Sequence, residues 1–255
     1  MPKKADLRAP LQRRFIKEYF NNYMNRLNSN NIRFIGILGN DDLETVEKDY
    51  LEMISQYENI YNVDGRKVDI EDISFIGLSK VLDTPFFRKD RIVIEAGQEM
   101  PKQLKEVVYV NKCTEPLTVE EWKEYREKNV PRMEDELNNL PKITEGHKGI
   151  FIFHDPPYGV GLDNCKDGDK VGSKSMTEYI KKSNAYMSFH GHIHESPKIS
   201  GNWNVKIGNT ISIQPGQSEY KDCELKYVVI DTNDNTYELQ SVIISNENLT
   251  HGIFE

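Results

Sequence analysis

The sequence predicts an α/β protein in which two β-sheets pack on each other and helices cover them. Apolar runs at residues 32–38 and 150–153 have the composition of buried strands, and amphipathic helices occur between such runs. Segments 203–214, 227–230 and 237–244 alternate between apolar and polar residues and are separated by turn residues. This alternation predicts antiparallel hairpins, which we assign to the second sheet of a sandwich.

The chain begins with a predicted helix. Apolar residues recur every four positions and, joined by Ile16 and Phe20, predict one wide apolar face against the core: Leu11, Phe15, Tyr19, Tyr23 and Leu27. The predicted elements that follow are a strand at 32–38, a helix at 43–57, a hairpin around an Asp-Gly turn at 61–68, a strand at 73–77 and a solvated loop with basic residues at 84–90.

Residues 101–147 interrupt this pattern. They contain four prolines and a polar, highly charged helix. We therefore expect one domain over residues 1–255, with an insertion or lid at about 101–147, because its composition differs from that of the predicted strands. The sequence assigns no chemistry to this part of the chain.

Composition and charge argue against several classes of protein. The 255 residues carry a net charge of −8 without a large basic cluster, so duplex nucleic acid is not the expected partner. No apolar run is long enough to cross a membrane, and the first residues lack the apolar segment of a secretory signal. Three cysteines without paired spacing fit a reducing compartment, so we expect a cytoplasmic protein.

Histidine is concentrated in one part of the chain. Five of the six histidines lie between positions 147 and 194, and two apolar runs end on them, at His154 and at residues 190–194. Ligands of open α/β sheets bind outside the carboxyl ends of the strands, so imidazoles at two such ends predict a metal site. If the backbone stays extended at His192 and His194, their rings point to the same side and converge.

Several known motifs do not match. A metallo-β-lactamase requires His-x-His-x-Asp-His, whereas Glu195 follows His194 here. An amidohydrolase barrel carries its His-x-His on the first strand, not late in the chain, and a cupin needs a glutamate where Lys198 stands. The segment Gly172-Ser173-Lys174-Ser175 precedes a predicted helix but lacks the adjacent Gly-Lys of a phosphate-binding P-loop.

Taken together, the remaining motifs resemble the calcineurin-like metallophosphoesterase superfamily. Three of them occur in the order of that family: Gly39-Asn40, His154 with Pro156-Pro157, and Gly191-His192-Ile193-His194. The run from His154 to Gly159, together with Gln214-Pro215-Gly216, looks most similar to the Icc-related phosphoesterase branch. The likeness spans residues 30–230.

This resemblance implies an α/β/β/α sandwich and a hydrolase of phosphate monoesters or diesters with two divalent ions. Such a pair of ions polarises the phosphoryl group and activates water. Carried over position by position, Asn40, His154 and His192 are the expected ligands of one ion and His194 of the other. Neutral imidazole and amide ligands suit Mn, Fe or Zn. The expected substrate is a small phosphorylated compound or a nucleotide. His190 is a candidate for contacts that support a metal ligand or the substrate.

Two departures from the family pattern bear on activity. Asp41 stands where many relatives have a histidine that acts on the substrate, so the general acid is left open. The family's first motifs, Asp-x-His and Gly-Asp, are missing from the front of the chain, so we expect the sandwich to lack its first two strands and the site its bridging carboxylate. The working protein is then expected to have roughly 30–60 further residues upstream. A second hypothesis is a catalytically silent binding or regulatory protein, and a nuclease of the same superfamily is a weaker third.

Overall fold

The centre of the fold is a mixed sheet of six strands. The computed structural model describes residues 8–113, 115–217 and 224–243. From one edge to the other, the sheet consists of β11 (Asn204–Ile207), β12 (Thr210–Ile213), β10 (Met187–Phe189), β9 (Lys148–Phe153), β4 (Ile73–Leu78) and β3 (Lys67–Ile70). The four central strands are parallel, and the two edge strands are antiparallel to their neighbours. The predicted α/β class is therefore confirmed.

Helices cover this sheet and explain why β9 is almost continuously apolar. Helix α6 (Lys174–Ser183) connects β9 to the parallel strand β10, as a crossover helix does. Met176 and Ile180 of α6 pack in one cluster with Phe151 and Phe153 of β9. Helix α5 (Met133–Asn138) adds buried side chains to the same cluster. This packing fixes the position at which β9 ends.

A second, smaller unit carries the N-terminal part of the chain. It contains helix α1 (Arg8–Phe15), a π-helical turn (Ile16–Phe20), helix α2 (Asn21–Ser29), strand β1 (Phe34–Gly36), a short 3-10 turn (Glu44–Val46), helix α3 (Glu47–Ile54) and strand β2 (Ile60–Asn62). β1 and β2 pair in parallel. Backbone hydrogen bonds from Gly77 N to Val63 O (3.1 Å) and from Gly65 N to Gly77 O (3.0 Å) attach this pair beside β4.

The predicted apolar face of the first helix is confirmed in part. Leu27 is buried, and Ile16 and Phe20 pack against the same core, whereas Leu11, Phe15 and Tyr19 are 67%, 55% and 60% exposed. The packed residues Ile16, Phe20 and Met24 are also four positions apart, so the buried face lies one position beyond the predicted row. A π-helical turn separates α1 from α2, in which Asn21 N bonds to a carbonyl five residues earlier, at Ile16.

Two predicted strand pairings also differ from the structure. The hairpin predicted at 61–68 does not form: β2 pairs with β1, and the antiparallel hairpin is β3 with β4, across Glu71 and Asp72. The strands predicted within 203–214 belong to the central sheet, because β12 pairs in parallel with β10. Alternation along a strand does not specify its neighbour, so sequence periodicity could not decide this placement.

The last two described strands form a separate antiparallel hairpin. β13 (Glu224–Asp231) pairs along its whole length with β14 (Thr236–Ile243), as predicted, and residue 244 lies outside the described residues. The hairpin contacts the central unit through Trp203, whose ring meets that of Tyr237 edge to face at 5.9 Å. The turn between β13 and β14 also contacts the residues at the starts of β9 and β10, since Lys148 Nζ donates to Thr232 O and Tyr186 Oη donates to Asn235 Oδ1, both at 2.9 Å.

The residues predicted to form an insertion share a small core with the segment that precedes them. Its elements are β5 (Val81–Leu82), β6 (Ile92–Val93), β7 (Val107–Val108), β8 (Leu117–Thr118) and α4 (Val119–Asn129), and this core extends to both sides of position 101. The loop predicted to be solvated is instead buried at Lys89 and Asp90. Lys89 bonds to Asp83 at 2.8 Å, and this partner explains how a lysine is accommodated in the interior.

None of the helices in the described ranges has the length and apolar character needed to cross a membrane.

Candidate metal centre

Three of the predicted ligands follow strands that end at the same edge of the fold. Asn40 lies after β1, His154 directly after β9, and His192 three residues after β10. Carboxyl ends of neighbouring parallel strands form the crevice in which α/β proteins bind ligands. The fold therefore brings side chains together that are more than a hundred positions apart in sequence.

The three side chains meet at one oxygen atom. Asn40 Oδ1 lies 2.8 Å from His154 Nε2 and 3.1 Å from His192 Nδ1, and the two ring centroids are 5.3 Å apart. We call these three residues the imidazole site. Ligand atoms bound to one ion at about 2.1 Å are separated by about 3 Å when the angle between them is near 90°. The spacing at Asn40 Oδ1 matches that geometry.

Gly39 allows the loop after β1 to approach His154 this closely. A Cβ atom at position 39 would lie 2.9 Å from His154 Cε1, a distance that side chains do not tolerate. The loop is held in place by Asp42, whose Oδ2 accepts a hydrogen bond of 2.7 Å from Gly39 N. Asn40 is thus presented to the ring by a turn that only glycine fits.

The backbone at His192 is in the left-handed region, with φ of 62°. The expectation of an extended His192-Ile193-His194 segment is therefore wrong, since β10 has already ended at Phe189. A non-glycine residue in this conformation costs about 1–3 kcal/mol, and such positions cluster at functional sites. Contacts of the following residues hold the turn: Ile193 N bonds to Gly191 O at 2.7 Å, and Gln217 N bonds to His194 O at 3.0 Å.

Burial keeps the two rings uncharged. It lowers the pKa of His154 to about 4, with smaller contributions from positive charge on His194 and Arg91. Burial also lowers the pKa of His192 to about 3, aided by the neighbouring His154 and His194. Metal ions bind imidazole in its neutral form, and both rings are already neutral near pH 7.

A family model for calcineurin-like phosphoesterases matches residues 11–196. The chain belongs to this family. An uncharacterized protein of Methanocaldococcus jannaschii is 30% identical over 178 residues, which are 67% of this chain and 61% of that relative. The chain therefore spans less than two thirds of the length of that relative.

The comparison with solved structures bears on the fold. One crystal structure superposes with a TM-score of 0.52 at 18% identity, over 89% of this chain and 73% of the other. A crystal structure of a Thermus thermophilus protein gives a TM-score of 0.47 at 15% identity, over 87% and 77% of the two chains. The first likeness, together with the family match, confirms the predicted superfamily.

In this calcineurin-like chain, the fourth predicted ligand is not part of the three-residue contact. His194 lies near enough for its charge to lower the pKa of both other imidazoles. Within the described ranges, however, no group of three or more His, Cys, Asp or Glu side chains is arranged to hold a metal ion. The imidazole site therefore fits one divalent ion through two rings and an amide, with no carboxylate among its donors.

Sequence reasoning missed Arg91, which is buried close to the site. Its φ is 59°, its Nη2 lies 3.0 Å from Glu47 Oε2, and its Nη1 lies 3.3 Å from Ser79 Oγ. The guanidinium contributes to the lowered pKa of His154. A single arginine in a charged loop carries no sequence signal, because its place beside β4 depends on the tertiary fold.

The structure also explains why the phosphate-loop motif fails. Glu95 accepts hydrogen bonds from Ser173 Oγ (2.8 Å), Lys174 N (3.2 Å) and Ser175 N (3.1 Å) at the start of α6. A carboxylate therefore occupies the place where a helix N-terminus would otherwise accept an anion.

Asp41, the position at which many relatives are expected to have a histidine, has an exposed side chain, and its carbonyl accepts a bond from Gln12.

Proposed function

We propose that this chain is a metal-dependent phosphoesterase that hydrolyses phosphate monoesters or diesters. The observation that supports the proposal is the meeting of one amide oxygen and two neutral imidazoles at Asn40 Oδ1. Asn40, His154 and His192 would hold one divalent ion, and His194 would hold the second. Mn, Fe and Zn suit such ligands better than Mg or Ca, which prefer oxygen.

The residues of the chain have separate tasks in this proposal. Bound divalent ions supply Lewis acidity toward a phosphoryl oxygen and toward water. Burial keeps His154 and His192 neutral, so both rings present a lone pair. The left-handed turn at His192 orients its Nδ1 toward Asn40. Arg91 places a positive charge near the site, which favours an anionic group over a neutral one.

The proposed substrate is a small phosphorylated compound or a nucleotide, and the proposed location is the cytoplasm. A net charge of −8 does not favour a polyanion, but divalent ions reverse the sign of the field within the site. Cys113 and Cys165 are free thiols, as a reducing compartment would keep them. Duplex nucleic acid is not a proposed partner, and neither is a membrane.

Calorimetric titration with Mn²⁺ and Zn²⁺ tests the ligand set. We expect wild-type protein to bind and His154→Ala and Asn40→Ala to lose binding by about 100-fold or more, because a ligand contributes more than a supporting residue. His147→Ala is the matched control, since His147 lies at the opposite end of β9, where its Nδ1 is 3.4 Å from Ser74 Oγ. Folded wild-type protein that binds neither ion would contradict the proposal.

A second candidate function is metal or ligand binding without hydrolysis. The absence of a carboxylate from the imidazole site, within the described ranges, favours this alternative. Assays with p-nitrophenyl phosphate and its bis-ester, with added Mn²⁺, separate the two. Turnover that disappears in His192→Ala supports the phosphoesterase, whereas stoichiometric Mn²⁺ binding without turnover of either ester supports the binding protein.

A further inference from the structure

A chain of buried hydrogen bonds runs from the central sheet to the edge of the imidazole site. His190 Nδ1 lies 2.9 Å from the carbonyl oxygen of Asp155, and His190 Nε2 lies 2.9 Å from Ser188 Oγ. Ser188 Oγ is in turn 2.7 Å from Ser212 Oγ. All of these side chains are buried, and the proposed hydrolysis uses none of them.

The direction of each bond follows from the acceptor at the end of the chain. A carbonyl oxygen only accepts, so His190 Nδ1 carries the proton and donates to Asp155 O. The neutral ring then accepts at Nε2, so Ser188 donates to it, and Ser212 donates to Ser188. The tautomer and the orientation of the His190 ring are thereby set from strands β10 and β12.

We propose that His190 is a positioning residue, which holds the ends of β9 and β10 at the separation that brings His154 and His192 together on Asn40. Two successive carbonyls after β9 are held by two successive residues after β10. Gly191 N donates to His154 O at 3.1 Å, and His190 donates to Asp155 O. Since His192 comes two residues after His190, this double contact determines the offset of the two imidazoles.

The other backbone hydrogen bonds of His154 and His190 leave the ends of β9 and β10 able to shift relative to each other. His154 N is bonded to Leu78 O at 2.9 Å, and His190 N to Ile213 O at 2.8 Å, so each residue is fixed to the strand on its far side. The bonds from His190 and Gly191 to the carbonyls of Asp155 and His154 join the two ends directly. A shift there would move one imidazole relative to the other without unpairing the sheet.

Two amide variants separate positioning from simple filling of space. Asparagine at 190 places an N–H donor near the position of Nδ1 and can still bond Asp155 O. Glutamine places its amide near Nε2, and phenylalanine fills the volume without any hydrogen bond. We expect His190→Phe and His190→Gln to weaken Mn²⁺ binding by about 10–100-fold, the range for residues that orient a ligand, and His190→Asn to restore most of it.

Thr210→Val is the matched control for stability. Thr210 is as deeply buried on β12, at its end away from the site, and its Oγ1 donates to Ala185 O at 2.7 Å. This variant also loses one buried bond from a side chain to a carbonyl, so it should lower the unfolding midpoint as His190→Phe does. Mn²⁺ affinity in Thr210→Val should equal that of wild type.

The Mn²⁺ titrations of these variants rest on the proposed function. A measurement on metal-free protein therefore tests the positioning role separately. Nitrogen-15 spectra of the metal-free protein should show slowly exchanging ring N–H signals for His154 and His192, because both contact Asn40 Oδ1. We expect these signals in wild type, Thr210→Val and His190→Asn, and their loss in His190→Phe. Their retention in folded His190→Phe overturns the positioning role, whereas wild-type protein with both signals but no Mn²⁺ binding overturns only the phosphoesterase.

Discussion

The interior contains two polar clusters that are built in the same way but differ in charge. In one of them, the Asp83 carboxylate accepts from Lys89 Nζ at 2.8 Å and Trp122 Nε1 at 3.1 Å, and pairs with Arg126 Nε at 3.3 Å. We call these four residues the Asp83 cluster. In the imidazole site, one amide oxygen is shared by two uncharged rings.

This difference indicates which cluster is structural and which can bind a ligand. The Asp83 cluster pairs one buried carboxylate with two buried cations, and Arg126 also contacts the exposed Glu127, so ion pairs hold its side chains in place. Its cost is visible in Lys89, whose pKa is lowered by burial although Asp83 acts to raise it. The imidazole site has no net charge and three donor atoms of metal-ligand type at metal-ligand spacing, so a cation can enter without displacing an ion pair.

The largest expected effect is on the Asp83 cluster. Asp83→Asn keeps the shape of the side chain but leaves Lys89 and Arg126 without their buried counter-charge, so we expect a loss of about 3–5 kcal/mol in unfolding free energy. Urea denaturation measures it. Glu127→Gln is the control, because Glu127 is an exposed partner of Arg126 and should cost less than about 1 kcal/mol. A loss of Mn²⁺ binding in folded Asp83→Asn would contradict the separation of the two clusters.

Sequence reasoning predicted the imidazole site better than the Asp83 cluster, because the signals for the imidazole site lie next to its residues in the sequence. Asn40 and His154 directly follow apolar runs, and strand ends can be recognised from such runs. Convergence at a sheet edge then follows from the parallel direction of the strands. Lys89 lies in a segment that looks like an ordinary charged loop, and its burial depends on Trp122, which is distant in sequence.

Other incorrect predictions also concern features that depend on contacts between residues far apart in the sequence. In the first helix, Leu11, Phe15 and Tyr19 are exposed, and the row of residues one position later packs on the core. The left-handed conformation of His192 is imposed by the loop that surrounds it, and no propensity of histidine predicts it. β12 was recognised as a strand, but its neighbour β10 was not, because period-two alternation contains no partner information.

The second effect in size is a pH dependence of stability, which the imidazole site should produce together with His190, whose pKa burial also lowers to about 4. The pKa of His154 is about 4 and that of His192 about 3, both below the value near 6.5 of an unfolded chain. As the pH falls below 6.5, the unfolded state takes up protons and the folded state does not. The free energy of unfolding therefore has its full value above pH 6.5 and decreases toward pH 4. Between pH 7 and pH 5, the decrease is about 2 kcal/mol or more.

Urea unfolding of metal-free protein at these two pH values measures this loss. In His154→Phe, which cannot titrate at position 154, the loss between pH 7 and pH 5 should be smaller. An unchanged slope in His154→Phe would show that the acid sensitivity comes from elsewhere.

A smaller effect is expected where a glycine separates the loop from the ring. Gly39→Ala places a Cβ 2.9 Å from His154 Cε1, so the ring or the loop must move, and we expect Mn²⁺ affinity to fall about tenfold. Gly146→Ala is the control, since Gly146 has φ of 83° and nothing within 4 Å of its Cβ position. It should cost about 1 kcal/mol of stability through backbone strain without changing Mn²⁺ affinity. Equal affinities in both variants would show that the loop adapts freely.

The smallest effect tests the corrected orientation of the first helix. Leu11 is mostly exposed, so Leu11→Ser should change the unfolding free energy by no more than about 0.5 kcal/mol. Met24, on the buried face of α2, should cost about 2–5 kcal/mol when changed to alanine. Thermal unfolding of both variants measures the contrast. Comparable losses in the two would mean that Leu11 is covered in solution, and the four-residue spacing would then mark a second buried face beside the one that packs on α3.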